Sequence, residues 1–144
     1  MLSNGEVARR FANGYTSGSS QHVFIDGDRI YSYGRHFCIA RRVNGVVLLT
    51  TRTYSNSTAK HVGLVWRALK DSEMVECYDP DAASEVNMKH YDEEIAKLEE
   101  KVRRARTNKV TWQFALEKTQ EHRQRYMDVM GVNDFDKYKQ EFDN

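Results

Sequence analysis

The stretch Ile30–Lys70, IYSYGRHFCIARRVNGVVLLTTRTYSNSTAKHVGLVWRALK, decides the fold of this chain. Two runs of β-branched and aromatic residues flank Asn44-Gly45, and a polar Ser/Thr/Lys/His cluster then opens an amphipathic segment. Asn-Gly provides two adjacent residues that tolerate positive φ, as a type I′ link requires, so the two runs are expected to form a hairpin. That register sets Val43 against Val46, Arg41 against Leu48, Ile39 against Thr50 and Phe37 against Arg52. Alternation then puts Phe37, Ile39, Val43, Val46, Leu48 and Tyr54 on one face, expected to meet the helices. His36, Cys38, Ala40, Arg42, Thr51 and Thr53 share a smaller, more polar face, expected to be partly solvated or open to contact. After the hairpin, Ser57 is the expected N-cap of a helix over residues 57–70, with Val62, Val65, Trp66 and Leu69 along its buried stripe.

Upstream, Glu6 to Ala12 offers one helical turn, and NGYTSGSS after it favours a loop, so residues 1–20 are expected to be a mobile or draped segment. His22–Ile25 and Arg29–Tyr33 flank Asp26-Gly27, which predicts a first hairpin with a type I′ turn, and Gly34 permits a bend or bulge before the next strand. Downstream, Met74–Tyr78 reads as a short strand stopped by Asp79-Pro80. From about Ala82 the period becomes helical: Met88, Tyr91, Ile95, Leu98, Val102 and Ala105 step by three or four, and Trp112, Leu116, Thr119, Tyr126 and Met130 resume the spacing. Acidic Asp92–Glu94 near the start and basic Lys101, Arg103, Arg104 and Arg106 near the end fit a helix dipole that stops around Thr107. This favours an antiparallel helical pair turning near Thr107-Asn108-Lys109; the alternative is one long helix in a coiled-coil dimer. Gly131 is expected to close the second helix, and Phe135, Tyr138 and Phe142 to form an amphipathic tail.

The fold class expected is therefore α+β: a small antiparallel β-meander of four or five strands, one packed helix and a C-terminal α-helical pair. At 144 residues the chain matches one domain, 1–144, with a β-rich core at 21–80 and a helical part at 82–144. Hydrophobic residues at 40% and charged residues at 30% are an ordinary globular balance, and no apolar run is long enough to span a membrane. The opening MLSNGEVARRFANG lacks the apolar stretch of a secretory signal. Cys38 and Cys77 have no metal-type spacing and read as buried reduced thiols. A net charge of +1 disfavours a strongly basic nucleic-acid binder.

Four groups of residues carry chemistry worth testing. Ser55, Ser57, Thr58, Lys60 and His61 gather hydroxyls and a cation at a helix start, where free backbone N–H groups favour an anion; the plainer reading is an N-cap beside a solvated lysine. No glycine-rich lead of a P-loop precedes them. Tyr31, Tyr33, Arg35 and His36 form an aromatic and basic group suited to stacking on a base, although sheet tyrosines more often serve packing. Lys101, Arg103, Arg104, Arg106 and Lys109 suit a phosphate backbone or an acidic protein, or are simply a helix surface with i, i+4 ion pairs from Glu99 and Glu100. His36 with His61 and Lys60 would suit metal-independent phosphodiester cleavage if the rings meet. No cofactor, metal site or catalytic set is expected.

Three strings, Tyr31-Ser32-Tyr33-Gly34 with His36–Ala40, Tyr54-Ser55 with Ser57–His61, and Arg104–Thr107, resemble an uncharacterised domain family of tailed bacteriophages and prophages. The likeness spans most of the chain, with Ser57-Thr58 where the family pattern has a threonine pair. It implies a phage protein in the host bacterial cytoplasm and supplies no reaction. The function expected from it is a non-enzymatic binding protein, a counter-defence inhibitor, anti-CRISPR-like or nucleotide-signal-binding. Its expected partner is a host defence complex or a nucleotide signal, with no membrane and with a homodimer through residues 88–130 open. The alternatives are a nucleic-acid-binding accessory and the His36/His61 phosphodiesterase.

Overall fold

A computed structural model describes residues 1–132 of the chain. The fold is α+β, with four helices and six strands among the described residues: α1 (Asn4–Ala12), β1 (Ser17–Ser19), β2 (Val23–Asp26), β3 (Arg29–Ser32), β4 (Cys38–Val43), β5 (Val46–Thr50), α2 (Asn56–Ala68), β6 (Met74–Cys77), α3 (Ser84–Arg104) and α4 (Lys109–Met130). The chain divides into two compact units, Met1–Ala82 and Ala83–Asn144, at the point where Pro80 and the change in composition separate the β-rich from the helical half.

In the first unit the strands lie in sequence order from β1 to β6. Strands β1 to β5 form an antiparallel meander, and β6 returns parallel to β5 after the α2 crossover. The sheet thus has one more strand than the four or five expected, because Ser17–Ser19 adds an edge strand where a loop is predicted. The N-terminal segment is structured as well. Ser3 caps α1 by accepting the Glu6 N–H, Glu6 opens the helix and Arg9 and Arg10 close it, as the helix dipole favours. Val7, Ala8 and Phe11 then seal its inner side in the core.

The Asn44-Gly45 turn is as the sequence predicts: both residues have positive φ, 51° and 80°, and Val43 faces Val46 and Arg41 faces Leu48. The first hairpin differs. Asp26 pairs with Arg29, so the two-residue link is Gly27-Asp28, and only Gly27 has positive φ, which fits a type II′ turn better than type I′.

The face assignment of β4 is corrected by a β-bulge. Ile30 faces Ala40 but Tyr31 faces Cys38, which leaves Ile39 as an extra residue. Alternation therefore resets there, and Phe37, Ile39 and Ala40 all enter the helix-side core with Val47 and Leu49. Ala40 and Arg42, expected on the open face, lie on the helix side; Arg42 donates to the Phe11 carbonyl and stacks on the Phe11 ring at 5.1 Å. Val43, Val46 and Leu48 fall on the opposite face, and Tyr54 is 74% exposed.

Helix α2 is capped by Ser55, not Ser57. Ser55 Oγ accepts the Thr58 N–H and Thr58 Oγ1 accepts the Ser55 N–H, a reciprocal capping box. Its inward side is Thr58, His61, Val65 and Leu69, with Val62 at the margin; Trp66, expected in the stripe, is 50% exposed. The helix is turned so that His61 reaches inward to Ser32 of β3 and to Asn4 of α1. Periodicity counts apolar residues, and two polar residues take part of the buried face.

In the second unit α3 and α4 form the antiparallel pair, as Asn87 bonding Tyr126 and Asp92 bonding Arg123 require. Met88, Tyr91, Leu98, Leu116 and Tyr126 are buried as the spacing predicts, and Gly131 ends α4. Phe135, Tyr138 and Phe142 lie outside the described residues.

Candidate functional site

Of the five residues expected to hold an anion, the structure commits three to internal bonds. Ser55 and Thr58 use their hydroxyls on each other's backbone N–H, and Thr58 also donates to the Ser55 carbonyl. His61 is 5% exposed, with Nδ1 2.7 Å from Ser32 Oγ and Nε2 3.4 Å from Asn4 Nδ2. Ser57 and Lys60 remain exposed.

The proton order around His61 follows from its neighbours. Ser20 Oγ–H donates to Asn4 Oδ1, so Asn4 offers Nδ2–H to His61 Nε2, and the ring carries its proton on Nδ1, which donates to Ser32 Oγ. A Ser-His-Asn line has the members of a nucleophile, base and orienting group. Here the serine accepts rather than yields a proton, and Ser32 is fully buried, so no substrate carbonyl reaches it. The line instead ties α1, β3 and α2 together. Burial, and secondarily the neighbouring His22, holds His61 below the ordinary imidazole pKa, which keeps the ring neutral.

His22 is the residue the sequence reading missed. Its ring lies 5.0 Å from Tyr33 and 6.1 Å from His61, and Tyr33 lies 5.4 Å from His61. The signal was available: extending the Asp26–Arg29 register by four residues puts His22 opposite Tyr33, and the Tyr33 N–H donates to the His22 carbonyl. Tyr33 is half exposed and has φ of 63°, a conformation that costs an aromatic residue about 1 kcal/mol or more. His36 is exposed in the β3–β4 connection, its Nδ1 turned towards Gly34, where an added Cβ would come within 2.9 Å. The imidazole stacked with His61 is that of His22.

Tyr31 and Arg35 form a separate group on the other sheet face. Tyr31 stacks on Phe24 at 5.1 Å, and the Arg35 guanidinium lies 5.6 Å from both rings while bonded to Asp26. Tyr31 is 4% exposed; burial and then the Asp81 carboxylate push its hydroxyl up to about 12. A base cannot stack on a ring already covered by Phe24 and Arg35.

The basic stretch closes largely on itself. Glu100 pairs with Arg103 and Arg104, Lys101 sits 4.3 Å over the Trp112 ring, and Arg106 and Lys109 are exposed. Cys38 and Cys77 are free and buried; burial pushes the Cys38 thiol up to about 12 and raises Cys77 further. No group of His, Cys, Asp or Glu among the described residues is arranged to hold a metal, and no described helix is long and apolar enough to cross a membrane.

No protein-family model matches the chain, and no curated protein or solved structure matches it.

Proposed function

We propose that this chain works by binding, as a phage or prophage protein that occupies a component of host defence in the bacterial cytoplasm. One observation carries the non-catalytic part: the hydroxyls of Ser55 and Thr58 and both nitrogens of His61 are engaged in holding helices in place. Groups locked in structural bonds, with Thr58 and His61 also buried, are poorly suited to moving substrate protons. The phage setting rests on the likeness of the Tyr31–Ala40, Tyr54–His61 and Arg104–Thr107 strings. The test is plaque formation by a restricted phage on bacteria that carry defined nuclease-complex or nucleotide-signalling immunity, with and without this chain. A rise in plaque count on one system, with co-purification of its target, is expected; equal counts on every system remove the reading.

Exposed Arg106 and Lys109 support a nucleic-acid accessory as a second reading. Duplex binding would then weaken steeply with salt and be lost in Arg104→Glu with Arg106→Glu.

A further inference from the structure

Residues 29–70 contain eight Lys or Arg and no Asp or Glu. The structure disposes of the five arginines of β3 to β5 and their flanks internally. Arg29 pairs with Asp28 and Asp81, Arg35 with Asp26 and Arg52 with Asp79, while Arg41 and Arg42 donate to the Pro80 and Phe11 carbonyls. The cations left over are on or just beyond α2. Lys60 and Arg67 flank an open groove on its outward face whose floor is Ala59, Gly63 and Leu64. None of the described lining residues is acidic. Half-exposed Trp66 stands one helical step from Gly63 on the same side.

We propose that this outward face of α2 is a docking surface for an acidic amphipathic segment of a partner protein. The inference rests on the binding role proposed above and names its surface and the chemistry of its partner. Charge fixes the sign: two cations without a carboxylate beside them in the groove favour an acidic occupant. The floor fixes the class. Ala59 and Gly63 have little or no side chain, so the floor is open apart from the Arg67 guanidinium lying against Gly63, and Leu64 and Trp66 offer apolar and aromatic contact of the kind that anchors protein interfaces. Lys60 and Arg67 are seven residues apart, about 10 Å along the axis. Two cations over that span suit a pair of carboxylates on a helix better than the dense phosphate charge of a duplex.

The test uses the full chain and four fluorescent probes: a designed Glu/Leu amphipathic helical peptide, its Lys/Leu and Gln/Leu counterparts, and a DNA duplex of similar length. Anisotropy and amide chemical-shift mapping report affinity and place. The Glu/Leu peptide is expected to bind best, to shift α2 amides, and to weaken as salt rises. Lys60→Glu with Arg67→Glu should weaken it at least about tenfold. Gly63→Leu should also weaken it, because the new side chain fills the groove. A Cβ at Gly63 meets only the flexible Arg67 guanidinium, from 3.5 Å, so this variant is expected to fold. Binding that is equal for all peptides, strongest for the duplex, or unmoved by both variants overturns the docking surface. Protection of phage that persists in those variants would overturn this surface while leaving the counter-defence role standing; no protection by the unaltered chain defeats that role independently of the peptide result.

Discussion

Helix α2 and the end of α3 are both basic, and they differ in what holds their cations. At the end of α3, Glu100 takes Arg103 and Arg104 and the Trp112 ring takes Lys101, so most of the charge is spent inside one helical hairpin. On α2 no acidic residue shares the helix, and Lys60 and Arg67 point outward from a segment whose other side is bonded to α1 and β3. Counting charges along a sequence therefore does not show which cations are already paired. What matters is whether the counter-charge lies within a turn or two, and whether the backbone beneath is rigid.

The contrast can be broken at the foundation of α2. Leu69 is fully buried against the sheet, and Leu69→Ala should cost about 2–5 kcal/mol in urea unfolding, since truncation leaves a cavity. A loss well below that range would mean that α2 is not anchored as described. A smaller effect is expected at its cap: Ser55→Ala should cost about 1 kcal/mol. An unchanged urea midpoint would show the capping box to be unimportant.

Smaller again is the pH response of His61. Its folded pKa lies below the ordinary value of about 6.5, so the unfolded chain binds the extra proton. Stability from this site is complete above that value, falls as pH drops from it towards the folded pKa, and levels off below. Thermal melts from pH 7.5 to 5 should show a flatter decline in His61→Gln than in the parent chain; parallel declines would remove His61 as the cause. The smallest effect belongs to the α3 end. Glu100→Gln should leave the melting temperature unchanged, because exposed ion pairs contribute little, while making the Arg103–Arg104 surface more basic. A marked drop would show that these pairs hold the hairpin together.

Much of the architecture is legible from residues alone. Asn44-Gly45 fixes its hairpin because few other pairs accept two positive φ values, and the apolar steps of α3 and α4 mark their shared seam. The strand from Met74 was also legible, though not its parallel pairing with β5. Less of the candidate site could be read. Thr58 and His61 look like surface ligands in a sequence, where polarity is the visible cue; Thr58 is taken up by Ser55 three residues before it, whereas the partners of His61, Ser32 and Asn4, are far along the chain.

The chain by itself determined many of the local choices, namely the strands from β2 to β6, the helices α2 to α4 and the Asn44-Gly45 turn, because those depend on neighbours within a few residues. Only the tertiary structure decided direction. One extra residue at Ile39 exchanged the faces of the β4 residues after it, and bonds to Ser32 and Asn4 took His61 inward while Trp66 stayed outside. Both outcomes arise from contacts between segments distant in sequence, where packing and hydrogen-bond satisfaction outweigh the periodicity of any one segment.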